Sequence, residues 1–186
     1  KRQRRHISQA IQHLAQMQLS SGAFSLWRGG GTAKPWLTMY ALDFLLSAKE
    51  MGFEVQATLL ADVLAYVRSY DGDNRAARAY ALYLSTRTGD VDRGALRYFY
   101  TTTLNQNNRA LNMTYMHIGR AFDLLGDVAR RDTMYAAVDW QADSDWVRAN
   151  YGSFARDVAA AMLYIWQSQN PDQAKLVPDR VNGLFE

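Results

Sequence analysis

The stretch QMQLSSGAFSLW, residues 16–27, separates two segments of helical pattern and decides how the chain folds. A Ser-Ser-Gly turn ends the first helical segment, and an aromatic residue and a tryptophan follow it closely. After a short glycine-rich loop, the strongly apolar segment PWLTMYALDFLLSAKEMG, residues 35–52, resumes the helical pattern. We therefore expect the aromatic rings of the turn to pack back between two consecutive helices.

Helical periodicity dominates the rest of the chain, and no alternating strand pattern stands out, which predicts an all-α fold. Pro35 suits the first turn of a helix and Gly52 suits a helix end. The expected helices, nine in all, include residues 5–19, 35–51, 57–70, 74–86, 92–105, 108–125 and 154–167 and a weak one at 172–184. The second helix is expected to bury a wide apolar face made of Trp36, Leu37, Tyr40, Ala41, Phe44, Leu45 and Ala48.

Three glycines punctuate this pattern at a constant interval. Gly52, Gly89 and Gly126 each follow a helical segment and lie 37 residues apart. A constant period of this size is typical of stacked helical hairpins. Broad and narrow apolar faces alternate, which predicts one domain over residues 1–186, a ring (an alpha/alpha toroid) with the broad-faced helices inside. The first helix lacks a hairpin partner, so we expect the natural domain to begin upstream of Lys1.

Composition excludes several classes of function. The 186 residues are 48% hydrophobic, enough for a packed core, and contain no cysteine, so they hold no disulfide, thiolate metal site or cysteine nucleophile. The net charge of +3 depends on the opening KRQRR, and the other arginines are scattered, which argues against nucleic-acid binding. No apolar run approaches the roughly 18 residues of a membrane span, so we expect no direct membrane contact by this segment.

The three histidines do not form a metal site. His6 and His13 lie seven residues apart on one helix, whereas a metal-binding helix usually spaces its histidines by four. His117 has no acidic partner nearby in sequence, so we interpret it as a hydrogen-bonded or surface residue. We expect no metal and no cofactor.

The polar motifs do not form a catalytic site either. The paired aspartates could act as acid and base, but each pair precedes a helix, where aspartate caps free N–H groups. These pairs are Asp71 and Asp73, Asp90 and Asp92, and Asp143 and Asp145. Ser153 lacks the setting of a hydrolase nucleophile. The loop at Gly29–Gly31 lacks phosphate-loop spacing and is expected to be flexible and exposed, and Trp27, Arg28 and Trp36 beside it form a candidate partner-contact loop.

Four stretches carry a resemblance to a known family. They are ISQAIQHLAQMQLSSGAFSLW (7–27), PWLTMYALDFLLSAKEMGF (35–53), LLGDVARRDTMYAAV (124–138) and NYGSFARDVAAAML (150–163). In this order they resemble the C-terminal part of the thioester-containing helical domain of bacterial alpha-2-macroglobulins, a terpene-cyclase-like ring of helical hairpins. The resemblance covers about residues 7–163.

The resemblance implies a role in a protease trap. Members of this family are broad-range inhibitors of the periplasm, tethered to the inner membrane by a lipid on a distant part of the polypeptide. The expected partners are therefore proteases, through the full-length protein, and other domains of the same polypeptide. The resemblance implies no catalytic turnover by this segment.

The chain departs from the family pattern at the thioester. Thioester-bearing members crosslink a cysteine and a glutamine in a C-x-E-Q motif, and this sequence has no cysteine. Either the motif lies upstream of Lys1, or the parent protein lacks a thioester and acts by non-covalent trapping or as a scaffold. Complement relatives carry a histidine near the loop before the second helix, and residues 22–35 contain none. If a thioester exists, we expect it to prefer amine nucleophiles over hydroxyls.

Two other functions remain open on the sequence alone. One is an enzyme on the same ring of helices, either a terpene cyclase or a glycosidase, although YDGDN at 70–74 lacks the last aspartate of D-x-D-D. The other is a scaffold of tetratricopeptide-like repeats, although the period is 37 rather than about 34 residues.

Overall fold

The computed structural model describes residues 2–104, 112–138 and Tyr164, and all structural statements below concern these residues. They form seven α-helices: α1 Arg2–Met17, α2 Pro35–Glu50, α3 Ala57–Arg68, α4 Arg75–Arg87, α5 Arg93–Leu104, α6 Asn112–Leu124 and α7 Val128–Ala136. The predicted all-α class is confirmed for this part of the chain, where the only strand-like pairing is an isolated bridge between Gln18 and Phe24. None of these seven helices combines the length and apolar character needed to cross a bilayer.

The chain divides into two compact units, residues 1–91 and 92–186. In the first unit α2 packs against α1, α3 and α4, and α3 also packs against α4. In the second unit α6 packs against α5 and α7. The single ring remains a prediction, and the helices expected at 154–167 and 172–184, with Asp143, Asp145 and Ser153, lie outside the described residues apart from Tyr164, which is helical.

The 37-residue repeat corresponds to a repeated helix end. Gly52, Gly89 and Gly126 have φ angles of +78°, +83° and +71°. Each glycine N–H donates to the carbonyl three residues earlier, and the next N–H donates to the carbonyl five residues earlier, as in Phe53 to Ala48 at 3.0 Å. This pair of bonds is the Schellman motif, which needs a left-handed residue that glycine adopts without a Cβ penalty.

Burial alternates along the helices as the sequence predicts. Helices α2, α4 and α6 bury six, eight and nine residues, whereas α3, α5 and α7 bury four, three and two. A helix buried on several sides must pack against more than one neighbour. The repeating unit is therefore one deeply buried helix followed by one surface helix.

The buried face of α2 differs from the predicted one. Tyr40 is 63% exposed and Trp36 is 37% exposed, whereas both were expected in the core. Thr38 is fully buried instead, because its hydroxyl accepts the Phe24 N–H at 2.9 Å and donates to the Lys34 carbonyl at 2.9 Å. The residues of α2 that are buried are Thr38, Met39, Ala41, Leu42, Leu45 and Ala48.

The turn after α1 is held against α3 by a close backbone approach. Gly22 has φ +83°, and a Cβ at this position would lie 2.1 Å from the Asp62 carbonyl oxygen. The Gln18 side-chain amide donates to the Leu59 carbonyl at 3.0 Å, and the Phe24 ring is fully buried. The expectation that an aromatic ring of the turn packs back into the core is confirmed for Phe24, while Trp27 points outward at 67% exposure.

We expect Gly22→Ala to reduce the free energy of unfolding by about 3 kcal/mol or more, because the left-handed backbone and the clash with Asp62 act together. The matched control is Gly52→Ala, which shares the left-handed φ but has open space around the new Cβ. This control should lose only about 1 kcal/mol. Urea denaturation of both variants measures the difference, and equal losses would show that the approach to α3 costs nothing.

Candidate functional site

The loop between α1 and α2 presents side chains from a rigid frame. The Ser25 hydroxyl donates to the Trp27 carbonyl at 2.7 Å, and the Gly30 N–H donates to the same carbonyl at 3.0 Å. The Lys34 N–H donates to the Phe24 carbonyl at 3.0 Å, which fixes the end of the loop beside its beginning. The expected exposure of Gly29 and Gly31 is confirmed, but the loop around them is closed by backbone hydrogen bonds.

Four large apolar side chains are exposed on this loop and the start of α2. Leu26 is 50% exposed and Trp27 67% exposed on the loop, and Trp36 and Tyr40 lie one turn apart on α2. Arg28 is also exposed beside them. We call Leu26, Trp27, Trp36 and Tyr40 the aromatic patch. Exposed aromatic residues on a fixed frame are typical of contact surfaces, because little entropy is lost when they are buried.

The patch continues into the seam between α2 and α4. The Trp36 ring lies 5.3 Å from the ring of the buried Tyr80, and the Tyr80 hydroxyl donates to Asp43 Oδ2 at 2.6 Å. Further along, Arg87 Nη2 donates to Glu50 Oε2 at 2.7 Å. Both hydrogen bonds join residues 37 apart, so α2 and α4 run parallel with equivalent positions of the repeat side by side.

Arg87 organises the polar part of this seam. Its guanidinium pairs with Asp43 and Glu50 and donates to the Ser47 hydroxyl at 3.1 Å. Burial raises the pKa of Asp43, while the hydrogen bond from Tyr80 and the charge of Arg87 act in the opposite direction. Every acceptor of the Asp43 carboxylate is engaged by a fixed donor, which suits a structural ion pair better than an acid or base in catalysis.

His117 lies in the core of α6 and not at the surface. It is fully buried, and its ring lies 5.1 Å from the Tyr164 ring in an edge-to-face contact. Burial lowers the pKa of His117 from 6.5 to about 3. The surface alternative is therefore wrong, and the imidazole is neutral at physiological pH.

The other two histidines lie on the exposed face of α1. His6 and His13 are both exposed beside the partly buried Ile7 and Leu14, as the sequence predicts. Within residues 2–104 and 112–138, no group of three His, Cys, Asp or Glu side chains is arranged to hold a metal ion.

Helix capping explains some of the paired aspartates and not others. Asp92 accepts hydrogen bonds from the Gly94 and Ala95 N–H groups at 2.8 and 2.9 Å, so its predicted capping role is confirmed. At the start of α4 the cap is Asn74, which accepts the Ala77 N–H at 3.0 Å, so the prediction of an aspartate cap there is wrong. Asn74 satisfies the same free donor from the position adjacent to the helix.

The roles of Asp90 and Asp127 were not predicted from the sequence. Asp90 pairs with Arg68 of α3, a contact 22 residues apart that no local pattern shows. Asp127 caps α7 by accepting the Arg130 N–H at 3.3 Å, and it also pairs with the Arg130 side chain. The signal for the second role was present in the sequence, since Asp127 directly follows the helix-ending Gly126.

The burial of His117 makes stability depend on pH. The unfolded chain binds a proton at this residue below pH 6.5, and the folded chain does so only near pH 3. The free energy of unfolding should therefore fall as pH drops through this window, by about 3 kcal/mol between pH 6.5 and 4 from this residue alone. Urea denaturation at several pH values measures the slope.

The slope is assigned by comparing two variants. His117→Phe should flatten the pH dependence between pH 6.5 and 4, because the aromatic contact is kept and the titrating group is removed. His13→Gln, at an exposed site, should leave it unchanged. If His117→Phe retained the full slope, other groups would be responsible for it.

Comparison with known proteins gives a consistent result, although no family model matches the chain. The alpha-2-macroglobulin of Xylella fastidiosa strain Temecula1 is 30% identical over 173 residues, which covers 84% of this chain and 10% of that protein. The alpha-2-macroglobulin of Escherichia coli K12 is 27% identical over 99% of this chain and 12% of its own length. The chain thus spans about a tenth of the length of these relatives.

Solved structures agree with the sequence matches. Native E. coli alpha-2-macroglobulin, from domain MG7 to the C-terminus, superposes with a TM-score of 0.79 at 25% identity, over 97% of this chain and 31% of that one. Salmonella alpha-2-macroglobulin reacted with methylamine superposes with a TM-score of 0.73 at 28% identity, over 92% of this chain and 12% of the Salmonella chain. Trypsin-activated E. coli alpha-2-macroglobulin superposes with a TM-score of 0.74 at 27% identity, over 94% of this chain and 13% of the E. coli chain.

The same family thus matches the helices described above in sequence and in three dimensions over nearly the whole chain. The chain belongs to the bacterial alpha-2-macroglobulins and corresponds to a segment of their C-terminal region.

Proposed function

We propose that this chain is the helical thioester-type domain of a bacterial alpha-2-macroglobulin and that its parent protein traps proteases. The observation that carries the proposal is the match to E. coli alpha-2-macroglobulin over 97% of the chain with a TM-score of 0.79. One structure in that group is of the E. coli protein activated by trypsin and another of the same protein activated by porcine elastase. Proteases are therefore the partners that we propose for the parent protein.

Within that trap, the segment binds and does not catalyse. In the described residues the acidic groups closest to a chemical role are already engaged: Asp43 by Tyr80 and Arg87, and Asp92 by the first turn of α5. The buried His117 is neutral and packed against an aromatic ring. Charge networks of this kind favour a scaffold over a site of turnover.

The aromatic patch is the surface that we assign to contacts with the rest of the polypeptide. It presents about half or more of Leu26, Trp27 and Tyr40 to solvent on a hydrogen-bonded frame, and Arg28 adds a cation beside it. Covering an apolar surface of this kind is favourable by about 25 cal/mol for each Å² removed from water.

Following the family resemblance, we extend the proposal to a periplasmic parent protein with a lipid anchor in the inner membrane.

The trap is tested with the full-length protein that carries this segment. After incubation with trypsin, we expect cleavage of a small chromogenic peptide to persist and cleavage of a large protein substrate to fall at least about tenfold, because a trapped protease is shielded by size and not by blockage of its active site. Loss of both activities would indicate an active-site inhibitor, and retention of both would refute trapping.

The patch is tested in the same assay. Trp27→Ala combined with Tyr40→Ala should reduce the shielding of trypsin severalfold, since both side chains are exposed and their removal spares the core. Tyr98→Ala is the matched control, because Tyr98 is 70% exposed on α5 and lies outside the patch. If the patch and control variants shielded trypsin equally well, the aromatic patch would not be needed for trapping.

The choice of nucleophile follows from the absence of histidine in residues 22–35. A nearby imidazole would help a hydroxyl to attack a thioester, so without it amines should react much faster than hydroxyls. If the full-length protein forms a thioester, methylamine should label it at least about tenfold faster than glycerol, as measured by mass spectrometry. Comparable rates would refute the preference.

A further inference from the structure

A cleft of about 430 Å³ opens between α5 and the turn that joins α6 to α7. Leu96 and Phe122 lie beneath the cleft and are themselves buried, at 0% and 2% exposure. The apolar surface open to a ligand is therefore that of Val128, at 52% exposure, and the half-buried Leu125. The rim of the cleft carries Arg93 and Arg97 from α5 and Val128 from α7. The cleft belongs to the second unit and is separate from the aromatic patch in sequence.

The two arginines at the rim differ from the other described arginines of this unit. Arg120, Arg130 and Arg131 each form an ion pair with an aspartate. Arg93 and Arg97, one helical turn apart and both exposed, form no ion pair or hydrogen bond through their side chains within residues 92–104 and 112–138. Two positive charges therefore lie on one face of α5 beside the apolar side chains of the cleft.

The nearest carboxylates, of which Asp127 also lines the cleft, neutralise this pair only in part. Asp92 accepts two hydrogen bonds from the first turn of α5, and Asp127 caps α7 and pairs with Arg130. Burial acts to raise the pKa of Asp127, but the bonds from Arg130 and the charges of Arg130 and Arg97 hold it below its usual value. The local field at the rim thus favours a further carboxylate, which a guanidinium can bind through two parallel N–H bonds.

We propose that this cleft is a docking site for a short peptide segment of the same polypeptide in which a carboxylate side chain is flanked by apolar residues. The carboxylate lies between Arg93 and Arg97, and an apolar neighbour covers Leu125 and Val128. Charge complementarity selects the acid, and these two exposed apolar side chains select the apolar neighbour.

The size of the cleft is the reason for a tethered partner. One carboxylate and one or two apolar side chains give a dissociation constant on the order of 1 mM, too weak for a freely diffusing partner. A segment on the same chain has an effective concentration in the millimolar range, which is enough to occupy such a site. This step rests on the proposed function, in which the chain is about a tenth of a longer alpha-2-macroglobulin.

The site is tested by titrating the 186-residue chain with the peptide Ac-Leu-Glu-Leu-NH2 and following methyl NMR signals. Signals of Leu96, Leu125 and Val128 should shift, with a dissociation constant on the order of 1 mM. The peptide Ac-Leu-Gln-Leu-NH2 should bind at least about tenfold more weakly, because it lacks only the charge. Equal binding of the two peptides would overturn the carboxylate assignment.

Two double variants locate the binding. The double variant Arg93→Ala, Arg97→Ala should bind the glutamate peptide Ac-Leu-Glu-Leu-NH2 at least about tenfold more weakly. Arg5→Ala with Lys49→Ala removes the same net charge from exposed sites in the first unit and should leave binding unchanged. If the control weakened binding as much, or if inorganic phosphate displaced the peptide at equal concentration, the site would be a general effect of positive charge and the proposal would fail.

The tethered occupant is tested in the full-length protein. There the Glu peptide should bind at least about tenfold more weakly than to the 186-residue chain, because the tethered segment already fills the cleft. If the full-length protein and the 186-residue chain bound the peptide equally well, the occupant of the cleft would not be a segment of the same polypeptide. Peptide binding without trypsin shielding would refute only the proposed function, and shielding without peptide binding would refute only the cleft.

Discussion

The helix end repeated at Gly52, Gly89 and Gly126 is the constraint on which the rest of the described structure depends. Each end uses the same two backbone hydrogen bonds and the same left-handed glycine, so every hairpin turns at the same point of its unit. Because the interval is constant, position 43 meets position 80 and position 50 meets position 87 across the seam of α2 and α4. The ion network around Arg87 is a product of that register and not an independent feature.

The helices and their ends could be predicted from the sequence because their causes are local. Pro35 begins α2, and Gly52 ends the turn after it. The described helix bounds differ from the predicted ones by three residues at most, apart from α7, for which no bounds were predicted, and the start of α6, where residues 105–111 are not described. The family resemblance was also readable, because it rests on the order of four stretches and not on one motif.

Features that depend on distant parts of the chain could not be predicted. The buried face of α2 is set by Thr38, whose partner Phe24 lies on the preceding loop, and this leaves Trp36 and Tyr40 at the surface. The burial of His117 depends on a ring at position 164. The cleft beside Arg93 arises where three helices meet, and spacing along one helix shows only that Arg93 and Arg97 share a face. In each case tertiary packing overrode the local pattern.

The register between α2 and α4 also limits how the length of this chain can change. One residue inserted within α4 ahead of Tyr80 would turn the rest of that helix by about 100°, carrying Tyr80 and Arg87 away from Asp43 and Glu50 together. At Gly29 and Gly31, by contrast, the space around the backbone is open, and the loop is already closed on itself between Phe24 and Lys34. An insertion in that loop would therefore leave the helices in register, but it would change the hydrogen-bonded frame that presents the aromatic patch.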